Sequence, residues 1–371
     1  MYIINFVFFI GISMAGTLIS AMLRLTGAEW RRPITRMAEG ITLFALMVAG
    51  PMIIIDMGRP DRFFHVILYG RLQSPILWDI LSLTTYMAGS LIYLYLPLIP
   101  DLAILRDRGA AFSPWRRRLY GALALGWKGT PAQRQSLERS ISVMAVVIIP
   151  VAISIHTVTA WIFGMTLRPG WHSSIIGPDF VVGALYSGIA AVIVAMALFR
   201  RFFRLEAYLT AKHFRNLGLM LLVAGMAYLY FTINNFVGSS YVTQTEENEL
   251  LRSIFGGKYS VQFWTMISVG MIVPCAMLAL PMTRTIPGIV TASVLVNIGM
   301  WIMRYVIVVP TLSAPFLPLT KEPLRYFPTV VEWSITLGGF AAFTLFYILF
   351  SKVFPIISIW ELRAQEAPAG H

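Results

Sequence analysis

Charged residues and cysteines are both scarce in this sequence. Of its 371 residues, 12% are Asp, Glu, Lys or Arg and 57% are hydrophobic, and the mean hydropathy is +0.73. Such a composition excludes an ordinary soluble domain and is typical of a polytopic membrane protein. The single cysteine, Cys275, cannot form an internal disulfide or hold an iron–sulfur cluster alone. Any electron carrier bound through thiolates would therefore belong to a partner.

Metal and cofactor motifs are also missing. A membrane haem with two imidazole ligands needs two histidines at matching depth, and His156 alone lies inside a long apolar run. The sequence contains neither HExxH nor paired cysteines, and neither a Walker motif nor a dinucleotide-binding fingerprint. We therefore expect no haem, iron–sulfur cluster, metal or nucleotide within this chain.

Basic residues outnumber acidic ones, 29 to 17, which gives a net charge of +12. They cluster in short segments between apolar runs, where membrane topology and anionic lipid explain them better than nucleic acid does. Placing most of them in the cytoplasm puts the N-terminus outside and the C-terminus inside. We predict a multi-pass protein of the bacterial cytoplasmic membrane that contacts lipid and binds no nucleic acid.

Nine apolar segments are long enough to cross a membrane, which takes about 20 residues for about 30 Å of hydrocarbon. We predict an all-α fold, a single integral membrane domain over 1–371, with transmembrane helices at 2–25, 34–56, 76–99, 138–165, 180–200, 214–237, 259–281, 285–310 and 328–354. Because the chain is apolar from Tyr2 onward, we expect no cleavable signal peptide. For the same reason we expect that the chain starts late or has lost an upstream helix.

Two segments are predicted to lie in the cytoplasm. The connection 100–136 contains PWRRRLYGALALGWKGTP, for which two interpretations stay open: an amphipathic helix on the membrane surface, and a solvated loop. The tail 361–371 is short and polar, so we expect it to be disordered.

Two carboxylates stand beside apolar segments in the stretch 51–86. Asp56 ends the second predicted helix and Asp79 begins the third on the same side, so both lie near one depth. Tyr86 lies deeper on the same helix face as Asp79. Ionisable groups at membrane depth are unfavourable and mark functional sites. At the same level the predicted topology adds three more residues: Arg59, His156 and Arg304.

Each candidate also has a purely structural interpretation. Asp56 could cap its helix and pair with Arg59 or Arg62. Asp79 could simply be an acid near a helix N-terminus, where the helix dipole stabilises it. The other interpretations are an interhelical hydrogen bond for His156, an interface aromatic for Tyr86 and a snorkelling cation for Arg304. Together the residues predict a site that exchanges protons with a small amphipathic molecule from the lipid, and a quinone fits.

Glu39 lies further in on the second predicted helix, about 25 Å from Asp56 by helical rise. Two interpretations are open. It could form a local ion pair with Arg36, or it could begin a proton path from the cytoplasm.

Several stretches resemble, in this order, the NrfD/PsrC family of quinone-interacting membrane subunits, and especially the large membrane subunits of alternative complex III. They are NFVFFIGISMAGTLISA, DMGRPDRF, SPILWDILSLTTY, IPDLAILRDR, SIHTVTAW, PGWHSSIIGPDFVVGALYSG and NIGMWIMRYVIVVPTL. The resemblance implies two four-helix bundles plus a flanking helix, and a site for quinone or menaquinone near the extracytoplasmic face.

Partners are implied by the resemblance as well. They are an extracytoplasmic iron–sulfur (ferredoxin-like) subunit, multihaem cytochrome c or molybdopterin subunits, and other membrane subunits. By position, Asp79 is similar to the family's quinone-proximal acid and His156 to its histidine in helix four, whereas Asp56 stands where the family varies. The sequence departs from the family pattern at four positions: Met14 in place of a frequent histidine, and Met303, Asn234 and Asn235 near acidic positions.

Three hypotheses follow for function. The first is a membrane subunit of a respiratory electron-transfer complex that binds quinol or quinone near the extracytoplasmic face and exchanges electrons with a docked iron–sulfur subunit, without catalysis by this chain alone. In it Asp79, Asp56 and His156 handle protons, while the binding residues are Asp56, Arg59, Asp79, Tyr86, His156 and Arg304. The second is proton translocation driven by redox chemistry in partner subunits. The third is a membrane anchor without its own active site.

Overall fold

The fold is helical throughout the part of the chain that the computed structural model describes, which is residues 1–108, 113–166, 168–171, 173–241, 245–314 and 326–366, and no strand occurs there. The helices are α1 (Tyr2–Leu25), α2 (Thr35–Asp56), α3 (His65–Leu68), α4 (Pro75–Tyr95), α5 (Leu98–Asp107), α6 (Pro114–Leu123), α7 (Pro131–Gly164), α8 (Ile176–Phe202), α9 (Ala211–Ser240), α10 (Thr245–Phe255), α11 (Ser260–Ile267), α12 (Val273–Ala279), α13 (Ile286–Ser313), α14 (Val330–Val353) and α15 (Ile359–Glu366).

Nine helices among the described residues are long and apolar enough to cross a membrane, as predicted. A π-helical turn over Ser268–Ile272 joins α11 and α12, so that they form one span. The largest shift is in α7, which begins at Pro131 rather than 138. Thr130 and Gln133 form a capping box there, and the first turns of the helix are polar. A search for apolar runs cannot detect such turns.

Helix α1 is the centre of the fold. Its most apolar stretch is 94% buried, and it packs against α2, α7, α8 and α13. Gly16 permits the close approach to α2, because a Cβ atom at this position would lie 2.0 Å from the carbonyl oxygen of Ala38. Helices α1, α2, α4 and α7 form one group, α8, α9, α11–α12 and α13 form a second, and α14 packs against α2 and α1. The all-α fold with nine spans is therefore confirmed.

The connection 100–136 and the tail are more ordered than expected. Helix α6 covers Pro114–Leu123 within this connection, and its position on the membrane surface stays a prediction. In the buried helix α5, Asp101 binds Arg36 at 2.6 Å and accepts hydrogen bonds from the backbone amides of Ile359 and Trp360. This contact fixes the start of α15, so residues 361–366, expected to be disordered, are helical. Residues 367–371 lie outside the described residues.

Candidate functional site

Asp79 lies on α4 and faces α7. Its Oδ1 atom accepts a hydrogen bond of 2.6 Å from the Thr159 hydroxyl, and the Asp79 residue is 8% exposed. Thr159 follows His156 on α7 by three residues, so the hydrogen bond holds the Asp79 carboxylate about one helical turn along α7 from His156. The structure thus brings Asp79 and His156 together at the contact of α4 with α7.

His156 and Tyr86 both contact the backbone of α1. The Nε2 atom of His156 lies 3.0 Å from the Ile10 carbonyl oxygen, and Nδ1 lies 2.8 Å from that of Ala152. A neutral imidazole has one N–H and can donate to one of these two acceptors. Tyr86 donates a hydrogen bond of 3.0 Å to the carbonyl oxygen of Ser13. The two side chains therefore link α7 and α4 to neighbouring turns of α1.

Asp56 and Arg59 do not join this group. Asp56 is the exposed last residue of α2. Arg59 is also exposed and pairs with Asp61 at 3.2 Å, instead of with Asp56. Of the residues predicted for the site within 51–86, Asp79 and Tyr86 therefore contact α7 and α1. Asp56 and Arg59 are exposed at and just after the end of α2.

Arg304 lies on the other side of α1, in the second helix group. Its guanidinium carbon is 4.9 Å from the centroid of the Phe180 ring, which is a cation–π contact. It is 2% exposed, and it interacts electrostatically with Asp179 and with His156. Arg304 does not snorkel outward but is enclosed by protein.

Glu39 is buried, and the ion pair with Arg36 that was one interpretation does not form. Arg36 is paired with Asp101, and Glu39 instead accepts a hydrogen bond of 2.6 Å from Ser20 on α1. The Ser20 hydroxyl also lies 3.3 Å from the hydroxyl of Tyr93 on α4. Helical spacing placed Arg36 and Glu39 close together, but the rotation of α2 directs them to different neighbours.

Polar side chains continue from this point towards Asp79. Hydroxyls of Thr17, Thr42 and Ser90 lie near the Tyr86 hydroxyl. Thr42 donates a hydrogen bond of 2.6 Å to the Ser13 carbonyl oxygen, which Tyr86 also contacts. Buried polar groups on α1, α2 and α4 therefore occupy the space between Glu39 and the level of His156.

Sequence reasoning missed Thr159, Asp101 and Asp179. A threonine in a helix is too common to stand out, and Asp101 was placed in a loop. Asp179 did carry a signal, because it is an acid next to an apolar run, but the predicted helix began one residue after it. In the structure α8 begins at Ile176, so Asp179 is inside the helix and is 1% exposed.

The three clustered residues differ in how a quinone could reach them. A quinone site needs an apolar surface with a few polar groups that a ligand can touch. Asp79 keeps an accessible edge, whereas Tyr86 is 0% and His156 2% exposed, and their polar atoms face backbone carbonyl oxygens. Asp79 is therefore the one of these three side chains that keeps an accessible edge, and Tyr86 and His156 link α4 and α7 to α1.

Metal ligands are a separate matter. Among the described residues, no group of three or more His, Cys, Asp or Glu side chains is arranged to hold a metal ion. The one cysteine, Cys275, lies on α12, away from Asp79 on α4.

Comparison with known proteins gives three relatives. The chain is 28% identical over 306 residues to a putative membrane subunit of dimethyl sulfoxide reductase from Halobacterium salinarum, covering 81% of this chain and 66% of the relative. It is 23% identical to a selenate reductase subunit from Mesobacillus selenatarsenatis, and the match covers 100% of this chain and 90% of the relative. It is 21% identical to an Hdr-like menaquinol oxidoreductase integral membrane subunit from Archaeoglobus fulgidus, and the match covers 94% of this chain and 82% of the relative.

The chain spans just under two thirds of the first relative's length and most of the other two. The family model described as "Polysulphide reductase, NrfD" matches residues 1–315, which include eight of the nine spans. This chain is therefore a polytopic membrane protein that belongs to the NrfD family.

Proposed function

We propose that this protein is the membrane subunit of a reductase complex, where it exchanges electrons between the quinone pool and a partner subunit with Asp79 as the proton-exchanging group. The observation that carries the proposal is the Asp79 carboxylate, which lies at membrane depth, keeps an accessible edge and is held by Thr159 at 2.6 Å. A structural acid would be expected to face a cation or to be closed off completely.

The relatives support this function. Two are named as subunits of reductases for dimethyl sulfoxide and selenate, and the third carries menaquinol in its name. We therefore propose a quinol of the menaquinol class as substrate and a reductase-type catalytic subunit as partner. An iron–sulfur subunit between them, docked at the extracytoplasmic face, is proposed from the distribution of basic residues and the family resemblance. The closer similarity to alternative complex III stays a prediction.

The chemistry assigned to this chain is limited to proton handling. Oxidation of a quinol to a quinone releases two electrons and two protons. The Asp79 carboxylate would accept one proton through its accessible oxygen while Thr159 continues to donate to the other oxygen, and it would pass this proton to water before it accepts the second. His156 and Tyr86 would keep α1 in register with α4 and α7, and partner subunits would take the electrons.

Replacement of Asp79 by Asn tests the proposal. In the intact complex, D79N should abolish quinol-dependent turnover, while turnover of the catalytic subunit with a soluble electron donor stays normal. D61N is the matched control, because Asp61 is an exposed acid of the α2–α4 connection that pairs with Arg59. Normal quinol-dependent turnover in D79N would refute the assignment. D56N tests the separate role predicted for Asp56, and we expect it to behave like D61N.

Proton translocation is a second candidate function, favoured by one observation. The buried polar groups between Glu39 and His156 include Ser20, Tyr93, Tyr86 and Ser13, where a dry apolar barrier would have opposed translocation. Under this proposal protons would enter at Glu39 and move along hydroxyl groups of α1, α2 and α4.

A further inference from the structure

A second group of buried polar residues lies between α8, α9 and α13. Asp179, Arg304, Tyr228 and Thr232 are 1%, 2%, 0% and 1% exposed. Tyr228 interacts electrostatically with both Asp179 and Arg304, and its hydroxyl faces that of Thr232. This group, which we call the Asp179 cluster, lies on other helices than Asp79, which is on α4, and it is not used in the proposed quinone chemistry.

Each member of the Asp179 cluster has a buried polar atom that makes no hydrogen bond of normal geometry within the part of the chain that the structure describes. Asp179 Oδ1, Arg304 Nη1, Tyr228 OH and Thr232 Oγ1 are all buried without a hydrogen bond of normal geometry. Buried polar groups in proteins are nearly always hydrogen-bonded, and an unpaired one is unfavourable by about 1–3 kcal/mol. The Tyr228 and Thr232 hydroxyls face each other, so Asp179 Oδ1, Arg304 Nη1 and this hydroxyl pair together indicate a small ligand among them.

The chemistry of the four atoms identifies this ligand. Arg304 Nη1 can only donate, Asp179 Oδ1 as a carboxylate oxygen can only accept, and the two hydroxyls can do both. A single species that serves all of them must donate and accept hydrogen bonds, and between one cation and one carboxylate it needs no charge of its own. Water meets these conditions, and buried waters typically make about three such bonds.

A polar route leads from the cluster towards α10. Tyr228, Thr232 and Asn235 follow one another on α9 at spacings that place them on one face, and Asn235 Oδ1 also lacks a partner. Asn235 lines a cavity of about 30 Å³ between α9, α10 and α13, together with Glu247 and Met303. This volume is enough for about two water molecules. Met303 precedes Arg304, so the cavity lies next to the cluster.

We propose that Asp179, Arg304, Tyr228 and Thr232 form a hydrated proton-exchange site that is reached through the cavity under α10. The Asp179 carboxylate takes a proton from a hydronium ion, which leaves a carboxylic acid and a water molecule, and it returns the proton by the same route. The charged and titratable groups around the cluster are Arg304 on α13, Tyr228 on α9, Tyr186 on α8, whose ring centroid lies 5.9 Å from that of Tyr228, and, beyond Arg304, His156 on α7, while Glu247 on α10 lines the cavity.

X-ray hydroxyl-radical footprinting of the full chain in native membranes tests the hydration. The radicals form from water, so they label side chains beside bound water even when these are buried. We expect Tyr228 and Met303 to be labelled, and Met196, which is 0% exposed in the apolar core, to stay at background. Equal labelling of all three residues would overturn the proposal.

Variants test the route and guard against misfolding. N235L closes the proposed access, and labelling of Tyr228 should fall to the level of Met196. The matched control is N234L, because Asn234 is adjacent on α9 but bonds the Tyr230 carbonyl oxygen of its own helix. Unchanged Tyr228 labelling in N235L would overturn the route. T232V keeps the side-chain shape and should also lower the labelling if water binds between the hydroxyls.

Infrared spectroscopy tests the proton exchange. During a pH titration, a carboxylic acid C=O band should appear that is missing in D179N and that shifts when the buffer is changed to D₂O. A band that D179N does not remove, or that fails to shift in D₂O, would overturn proton exchange at Asp179. Neither measurement involves quinol turnover, so the outcome is independent of the function proposed for Asp79.

Discussion

The Thr159 hydroxyl donates a 2.6 Å hydrogen bond to Asp79, and this contact joins α7 to α4. It leaves the second carboxylate oxygen of Asp79 to face the edge of the helix pair, and it places the acid one turn from His156. The bond therefore both stabilises a buried acid and orients it. Hydrogen bonds to charged groups are stronger than neutral ones.

Replacement of Thr159 by Val removes this donor while the shape of the side chain is kept. We expect a loss of about 1–3 kcal/mol in stability and a marked loss of quinol-dependent turnover, because the carboxylate loses its fixed orientation. Thermal unfolding in detergent and quinol assays measure the two effects. T157V is the control, since Thr157 bonds only the Ile153 carbonyl oxygen within α7. Equal behaviour of the two variants would contradict the role of Thr159.

Gly16 is predicted to be essential for the contact of α1 with α2. In G16A the new Cβ would meet the Ala38 carbonyl oxygen at 2.0 Å and the Thr42 hydroxyl at 2.5 Å, so the two helices must move apart. Overpacking of this kind is unfavourable by about 1–3 kcal/mol or more. G50A, on the adjoining helix α2, adds a methyl group with nothing within 4 Å. Size-exclusion chromatography should show loss of folded protein for G16A and a normal profile for G50A.

Arg36 and Asp101 are expected to hold the C-terminal helix α15 in place. They are 2% and 0% exposed, and removal of one partner from such a pair leaves a buried charge, which destabilises by about 3–5 kcal/mol. R36M should therefore lower the unfolding temperature and make α15 sensitive to limited proteolysis. R106M is the control, because Arg106 pairs with the exposed Asp107. If α15 is cleaved at the same rate in both variants, the Arg36–Asp101 ion pair does not hold α15 in place.

Glu39 provides the test of proton translocation. If protons enter there, E39Q should reduce the number of protons moved per electron in proteoliposomes while quinol turnover continues. E138Q is the control, because Glu138 is an exposed residue near the start of α7. A normal proton-to-electron ratio in E39Q would exclude entry at Glu39. Y86F, which keeps the ring but removes the hydroxyl next to Ser13, should lower the ratio as well.

Prediction from the sequence succeeded where the relevant information is local. The nine spans could be found because a membrane helix needs a continuous apolar run, and the run is visible in the sequence itself. Residues of one helix face could be assigned in the same way, which is why Asp79 and Tyr86 were expected on one face of α4. The polar first turns of α7 and the helix α5 could not be predicted from the sequence, because neither forms a long apolar run.

The sequence could name the ionisable residues of the apolar segments, but it could not give the neighbours of each one. Depth in the membrane suggested one site containing Asp56, Asp79, His156 and Arg304. Depth alone ignores the direction in which each helix face points. In the structure Arg304 on α13 packs against the Phe180 ring of α8, whereas Asp79 on α4 bonds Thr159 of α7.

The sequence by itself determined that this is an all-helical membrane protein of nine spans with costly acids and cations in its apolar segments, because hydropathy and length depend on neighbouring residues alone. The tertiary structure decided the partners of those charges: Thr159 for Asp79, Ser20 for Glu39, Asp101 for Arg36 and the Phe180 ring for Arg304. Each of these pairs joins residues on different helices, and the rotation and packing of one helix against another is fixed only when the whole bundle assembles.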